Sequence, residues 1–408
     1  VKKNDNTVEG SATALSGGET VVRIFFSVTG TPDGAETLEV DLQANAVFDQ
    51  NGLTADANQT TNNTASLNDK SAPTVTSVTV PSNATYVSGQ NLDFTVNFSE
   101  NLTVVTTGGT PQLAITVGST TRQAVYTSGS GTGALLFRYT VQAGDLDTDG
   151  IAVGTLAANG GTLRDAATNN ANLTLNSVGA TTSVLVDAVL PTVTSVSVPA
   201  NATYIAGQNL DFTVNFSENV TVVTTGGTPQ LAITIGATTR QAVYTSGSGT
   251  SALLFRYVVQ SGELDTDGIT VGTLSANGGT LKDAATNDAN LTLNSVGSTT
   301  AVLVDGVAPT VINVTSSTSD GTYKVGDQVN VQVVFSEVIY VNTLSQIQLQ
   351  LETGTLDYYI AAVSGSGTNT LNFTYTVQAG TESSDLDYKA TNSLDISLSG
   401  TAKDAAGN

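Results

Sequence analysis

Apolar and polar positions alternate through most of the chain with the period of an extended strand. Leu92, Phe94, Val96 and Phe98 are separated by Asp93, Thr95 and Asn97, and Phe137, Tyr139 and Val141 by Arg138 and Thr140. A period of two sends one set of side chains to a buried face and the other to solvent. Thr and Val are abundant within these runs, while Gly, Asn and Ser cluster between them at turn positions. No window carries a 3.6-residue apolar stripe. The best helical candidate, LRDAATNNANL at 163–173, is rich in Asn and Thr and follows Gly160-Gly161, so a long loop is predicted there. Seven or so short strands within a stretch of 118 residues predict an all-β fold of immunoglobulin-like sandwiches.

That stretch recurs. PTVTSVTVPSNATYVSGQNLDFTVNFSEN from Pro73 returns as PTVTSVSVPANATYIAGQNLDFTVNFSEN from Pro191, and 73–190 and 191–308 differ at only 19 of 118 positions. A more divergent copy starts at Pro309, where TYKVGDQVNVQVVFSE matches TYVSGQNLDFTVNFSE, and runs to DAAGN at 404–408. VVRIFFSVTG at 21–30 aligns with LLFRYTVQAG at 135–144 and is expected to form a strand. The predicted organisation is therefore tandem repeats stacked end to end. These are a partial repeat at 1–72, full repeats at 73–190 and 191–308, and a repeat at 309–408 lacking its last strand. The linkers VDAVLP and VDGVAP are short and end in a stiff proline. Without a Met anywhere, the sequence is expected to be an excerpt of a longer one.

Composition removes several chemistries. The chain has 408 residues with no His, Cys or Trp. There is thus no Ser-His-Asp triad, no thiol nucleophile, no disulfide and no zinc or iron–sulfur site. A net charge of −22 argues against nucleic acid and anionic lipid as partners, and favours hard cations that take oxygen ligands. No run is long and apolar enough to insert in a membrane.

The sharpest local motif is Asp145-Leu-Asp147-Thr-Asp149-Gly150, repeated as Glu263-Leu-Asp265-Thr-Asp267-Gly268. Alternate carboxylates followed by Gly match the start of a calcium loop, but the twelfth position is Leu156 or Leu274 rather than Glu. An acidic solvated turn fits the spacing equally well. Strand order adds a second consideration. Glu100, Glu218 and Glu337 are expected to follow the second strand, and Asp165, Asp283 and Asp404 open the DAAxN segment. Both sets belong at the leading end of a repeat, whereas Asp69, Asp187 and Asp305 close the preceding one. Head-to-tail stacking would gather Asp147, Asp149, Asp187, Glu218 and Asp283, and again Asp265, Asp267, Asp305, Glu337 and Asp404. Such clusters repel unless a cation bridges them, and Ca2+ is the expected ion. The logic is similar to that of cadherin junctions, although the motifs are not. In the first repeat TGTPDG at 29–34 keeps Asp33 in the Asp149 position but has Thr31 for Asp147, which predicts the weakest binding there.

Other motifs predict less. Gly129-Ser-Gly131-Thr-Gly133 lacks a strand–turn–helix context and is read as a hairpin. Arg122, Arg138 and Arg164, recurring as Arg240, Arg256 and Lys282, are read as solvated strand faces. The PTVTSV opening, the FSE after the second strand, YTSGSGT, the D-x-D segment and GGTL[RK]DAAxN resemble the tandem immunoglobulin-like repeats of large bacterial surface adhesins. Arrays of this general kind occur in the gliding-motility and biofilm adhesins of Bacteroidota. The resemblance implies an extracellular, surface-anchored filament. The expected function is a non-enzymatic stalk whose partners are neighbouring repeats of the same chain. The alternatives are a multivalent array binding a glycan or protein ligand, and an accessory region of a large secreted exoenzyme.

Overall fold

A computed structural model describes residues 2–3, 6–7, 31–39, 47–54, 64–66, 68–396 and 400–408. The strand expected at 21–30 lies outside the described residues. The chain divides into two compact units, Val1–Val189 and Leu190–Asn408. Nearly all regular structure is β, with a single short 3-10 turn at Leu344–Gln346 among the described residues.

In the first unit, Lys2–Lys3, Asn6–Thr7, Thr37–Glu39 and Thr64–Ser66 form one antiparallel sheet. From Pro73 onward the alternating runs become a sandwich. Its larger sheet runs Ala152–Ala157, Gln112–Val117, Thr120–Ser128, Thr132–Thr140, Asn91–Val105, Thr162–Arg164, with Val75–Thr79 also on the long strand. A smaller sheet places Val184–Asp187 between Leu146–Asp147 and Ala84–Tyr86, pairing antiparallel with the first and parallel with the second. The stretch from Pro73 thus holds ten strands rather than seven. The extra ones are two- to four-residue pieces too short to show an alternation.

Between the sheets Leu92, Phe94, Val96, Leu113, Ile115, Leu135 and Phe137 are fully buried and form one core with Val184 and Val186. Tyr126 packs edge-on to Phe137 with ring centroids 5.9 Å apart, the orientation favoured by the ring quadrupoles. Truncating a ring such as Phe94 to Ala in this setting costs about 3–5 kcal/mol.

The second unit repeats the arrangement with Asn209–Val223 as the long strand and Val302–Asp305 parallel to Ala202–Tyr204. The stretch from Pro309 keeps the larger sheet, in the order Val311–Ser316, Gln328–Val341, Thr368–Thr376, Tyr358–Ser364, Gln348–Glu352, Asp387–Tyr388. It has no counterpart of the smaller sheet among the described residues. From Pro73 onward the described residues form immunoglobulin-like β-sandwiches in tandem.

Candidate metal centres

Three carboxylates meet in the first unit. Glu100 sits where the long strand changes partners: its register with Thr132–Thr140 shifts between Asn97 and Leu102, and Thr103–Val105 then pairs with Thr162–Arg164. The irregularity frees Glu100 from strict alternation. Asp165 directly follows Thr162–Arg164 and is buried. Its Oδ1 accepts the Asn169 backbone N–H at 2.8 Å and its Oδ2 the Asn169 side-chain amide at 2.8 Å. The same amide reaches the Asp69 carbonyl at 3.3 Å, which ties Asp69 to this turn. The carboxylate oxygens of Asp69, Glu100 and Asp165 lie within 4.8 Å of one another.

The second unit builds the same group from Asp305, Glu337 and Asp404, again within 4.8 Å. Glu337 occupies the equivalent register shift, between Val334 and Ile339. Asp404 accepts N–H groups from Gly407 at 2.6 Å and Asn408 at 2.9 Å, and the Asn408 amide donates to the Asp305 carbonyl at 2.7 Å. In the intervening copy Glu218 and Asp283 lie within the same reach, and Asn287 holds Asp283 as Asn169 holds Asp165. Asp187, at the end of the first unit, is the sequence counterpart of Asp69 and Asp305.

The crowding of charge in two of these groups bears on their glutamates. Burial, then Asp165, Asp69 and Asp33, pushes Glu100 above the usual carboxylate range. Burial, then Asp404 and Asp305, does the same to Glu337. Asp404 goes the other way: burial opposes its charge, but the Asn408 and Gly407 donors outweigh burial and hold it low. A positive ion among these oxygens would offset the repulsion that raises Glu337. Three hard oxygen donors suit Ca2+ or Mg2+ rather than a soft metal. Each triad can therefore hold a metal ion.

The D-x-D segment serves a different purpose. Asp145 is buried, accepts Arg122 Nε at 3.0 Å and the Gln142 N–H at 2.9 Å, and is also bonded by the Tyr139 hydroxyl. Glu263 repeats this with Arg240 and Tyr257, both at 2.6 Å. Asp147 accepts the N–H groups of Gly118 at 2.7 Å and Gly150 at 2.8 Å, and Asp265 those of Gly236 and Gly268 at the same distances. Asp149 and Asp267 are exposed. Gly150 closes the turn at φ 105°, where a Cβ would meet the Thr182 backbone at 2.5 Å. Asp145, Asp147, Glu263 and Asp265 thus accept hydrogen bonds within their own repeats, and Asp265 and Asp267 are not part of the Asp305 triad.

The arginines form more than solvated faces: Arg122 and Arg240 pair as above, and Arg138 and Arg256 grip Asp93 and Asp211, each at 2.6 Å. Gly129 and Gly131 lie in the hairpin between Thr120–Ser128 and Thr132–Thr140, both with positive φ. Sequence reasoning missed Asn169 and Asn408. Their signal was the Asn closing each DAAxN motif.

No family model matches the chain, and no curated protein does. Solved structures that overlap it include a marsupial T cell receptor, at 13% identity and a TM-score of 0.29, covering 76% of this chain and 98% of that one. The surface layer protein SbsC, domains 1–6, overlaps at 12% identity and a TM-score of 0.17, with 78% of this chain and 54% of that one covered. A trypsin-activated alpha-2-macroglobulin from Escherichia coli overlaps at 10% identity and a TM-score of 0.15, over 81% of this chain and 24% of that one. At TM-scores this low the overlaps carry no argument about what the chain does. Among the described residues no helix is long and apolar enough to cross a membrane.

Proposed function

We propose that the chain is a non-enzymatic spacer from the extracellular stalk of a bacterial surface adhesin, and that calcium held by the acidic triads stiffens successive repeats. The observation that carries this reading is the composition of each triad. The closing Asp of one sequence repeat, Asp69 or Asp305, is grouped with a Glu and an Asp of the next. An ion there would bind two repeats at once. Near-identical copies in tandem support length added by duplication over separately tuned binding sites.

Extracellular calcium modules bind at about 0.1–1 mM. Calcium at about 100 times its dissociation constant adds about 2.7 kcal/mol. That suffices to suppress bending at a connection, while each sandwich keeps a core of its own. The test is titration calorimetry of chelator-treated full chain with calcium, alongside small-angle scattering. The expected result is a saturable heat that Glu100→Gln or Glu337→Gln reduces, and a maximum dimension that changes on chelation. No heat and an unchanged dimension would leave the triads as surface acidity.

A further inference from the structure

Two turns of the same sequence lie exposed at corresponding places in the two full copies. Asn159-Gly160 forms the centre of the first, which the Gly161 N–H closes on the Ala158 carbonyl at 2.9 Å. Asn277-Gly278 forms the second, closed by Gly279 on Ala276 at 2.8 Å. Both central residues have positive φ, 47° and 86° in the first turn and 48° and 83° in the second, as a type I′ turn requires. The Asn and the Gly are exposed in each. The Asn159 amide donates to the Thr110 carbonyl and the Asn277 amide to the Thr228 carbonyl, each at 3.1 Å. Among the described residues neither the Gly160 nor the Gly278 N–H has an acceptor.

In an Asn-Gly pair no Cβ hinders the glycine nitrogen. Once that nitrogen loses its proton to hydroxide, its electron pair can add to the Asn Cγ. A carbon–nitrogen bond forms, the side-chain nitrogen leaves as ammonia, and a five-membered imide remains. Water then opens the imide at one carbonyl or the other, leaving aspartate or isoaspartate. One water is consumed and one ammonia released, with no oxidant or cofactor.

We propose that Asn159 and Asn277 are sites of this spontaneous conversion in the folded chain. Asn51-Gly52 is the same dipeptide in a different setting. Its Gly52 N–H donates to the Asp49 carbonyl at 3.0 Å, and the Asp49 carboxylate accepts the N–H groups of Asn51 and Leu53, both at 2.8 Å. Turning Asn159 toward Gly160 breaks one neutral, exposed bond to Thr110. At Asn51 the attacking nitrogen itself is engaged, two charge-assisted bonds hold its neighbours, and the Asp49 charge opposes loss of the Gly52 proton. The product does not fit its place at Asn159. A Cβ on Gly108 would collide with the Gly160 carbonyl, and one on Gly161 with the Gly109 carbonyl, so the two Gly-Gly pairs touch without spare room. Isoaspartate lengthens the main chain by one carbon within this contact. Either product also replaces the amide that donates to Thr110 with a carboxylate, which has no proton to give. The proposal is independent of calcium and of the stalk reading.

The test incubates the folded full chain in mildly alkaline buffer and follows each Asn-Gly site by peptide mapping, with hydrogen exchange on the aged sample. The expected result is conversion at Asn159 and Asn277 about fivefold faster than at Asn51, a ratio of the size that one hydrogen bond sets. Protection of the Gly109 and Gly161 amides, which donate to Thr106 and Ala158, should be lost in step with conversion. In denaturant the three sites should react alike. Asn159→Gln should stop conversion at that position and leave Asn277 unchanged. Conversion at Asn159 and Asn277 no faster than at Asn51, a difference that persists in denaturant, or converted chains that keep Gly109 and Gly161 protected would each overturn the proposal.

Discussion

Tyr257 shows how much one side chain can reveal about a motif. Burial, then its hydrogen bond to Glu263 and the Glu263 charge, pushes its hydroxyl from 10.0 up to about 12. Tyr139, beside Asp145, is pushed up to about 12 by the same causes. In the unfolded chain each tyrosine loses its proton near pH 10. Between that and about 12 the native state therefore holds more protons, and stability falls as pH rises. The contribution is complete below pH 10 and lost on passing about 12. Denaturant midpoints at pH 9 and pH 11 should differ in the wild type, and the difference should shrink in Tyr139→Phe with Tyr257→Phe. On the acid side Asp145 behaves oppositely. Burial works against its charge, yet the Tyr139, Gln142 and Arg122 donors hold it below the usual carboxylate range. Its contribution is present above pH 3.8 and fades as pH falls through the lowered value.

The long strands, the hairpins and their buried faces could all be read from alternation, because a half-buried strand writes its geometry into every second residue. The short strands at Leu146–Asp147 and Ala84–Tyr86 could not, since a pair or triplet of residues has no period. The acidic sites split along the same line. Grouping Asp305, Glu337 and Asp404 required only knowing which end of a sandwich each strand reaches. Assigning Asp265 required knowing that Gly236, 29 residues away, would donate an N–H to it. Nothing in the spacing of D-x-D-x-D-G separates a carboxylate that awaits a cation from one that closes a turn. The two roles predict opposite outcomes. In Asp265→Asn one oxygen remains to serve two N–H donors, so the repeat should lose about 1–3 kcal/mol with its calcium heat unchanged. In Glu337→Gln the calcium heat should fall while thermal unfolding of the cores stays near wild type. If Asp265→Asn instead lowered the calcium heat at constant stability, the ligand assignment would move back to the turn.

At the scale of the whole chain, the closing strand of each full copy lies parallel to a strand near that copy's beginning. In the copy from Pro191 the pairs are Ala202 with Val302, Thr203 with Leu303 and Tyr204 with Val304. Pulling such a copy by its two ends drags these strands past each other along their length. The cross-strand bonds lie across the direction of pull, so they share the load in shear instead of parting one at a time. Forced unfolding is governed by the barrier to the first rupture, and a shear clamp places that barrier at the strand pair. In single-molecule pulling the copies from Pro73 and Pro191 should give way at higher tension than the stretch from Pro309, which has no such clamp among its described residues. Ala202→Pro, which deletes the donor to Ala301, should lower one high-tension event and leave the other in place. Equal rupture tensions in all copies would show that the clamp bears no load. With the clamp in place, a pull along a full copy is held at its paired end strands until that pair shears, and the rest of the copy yields only afterwards.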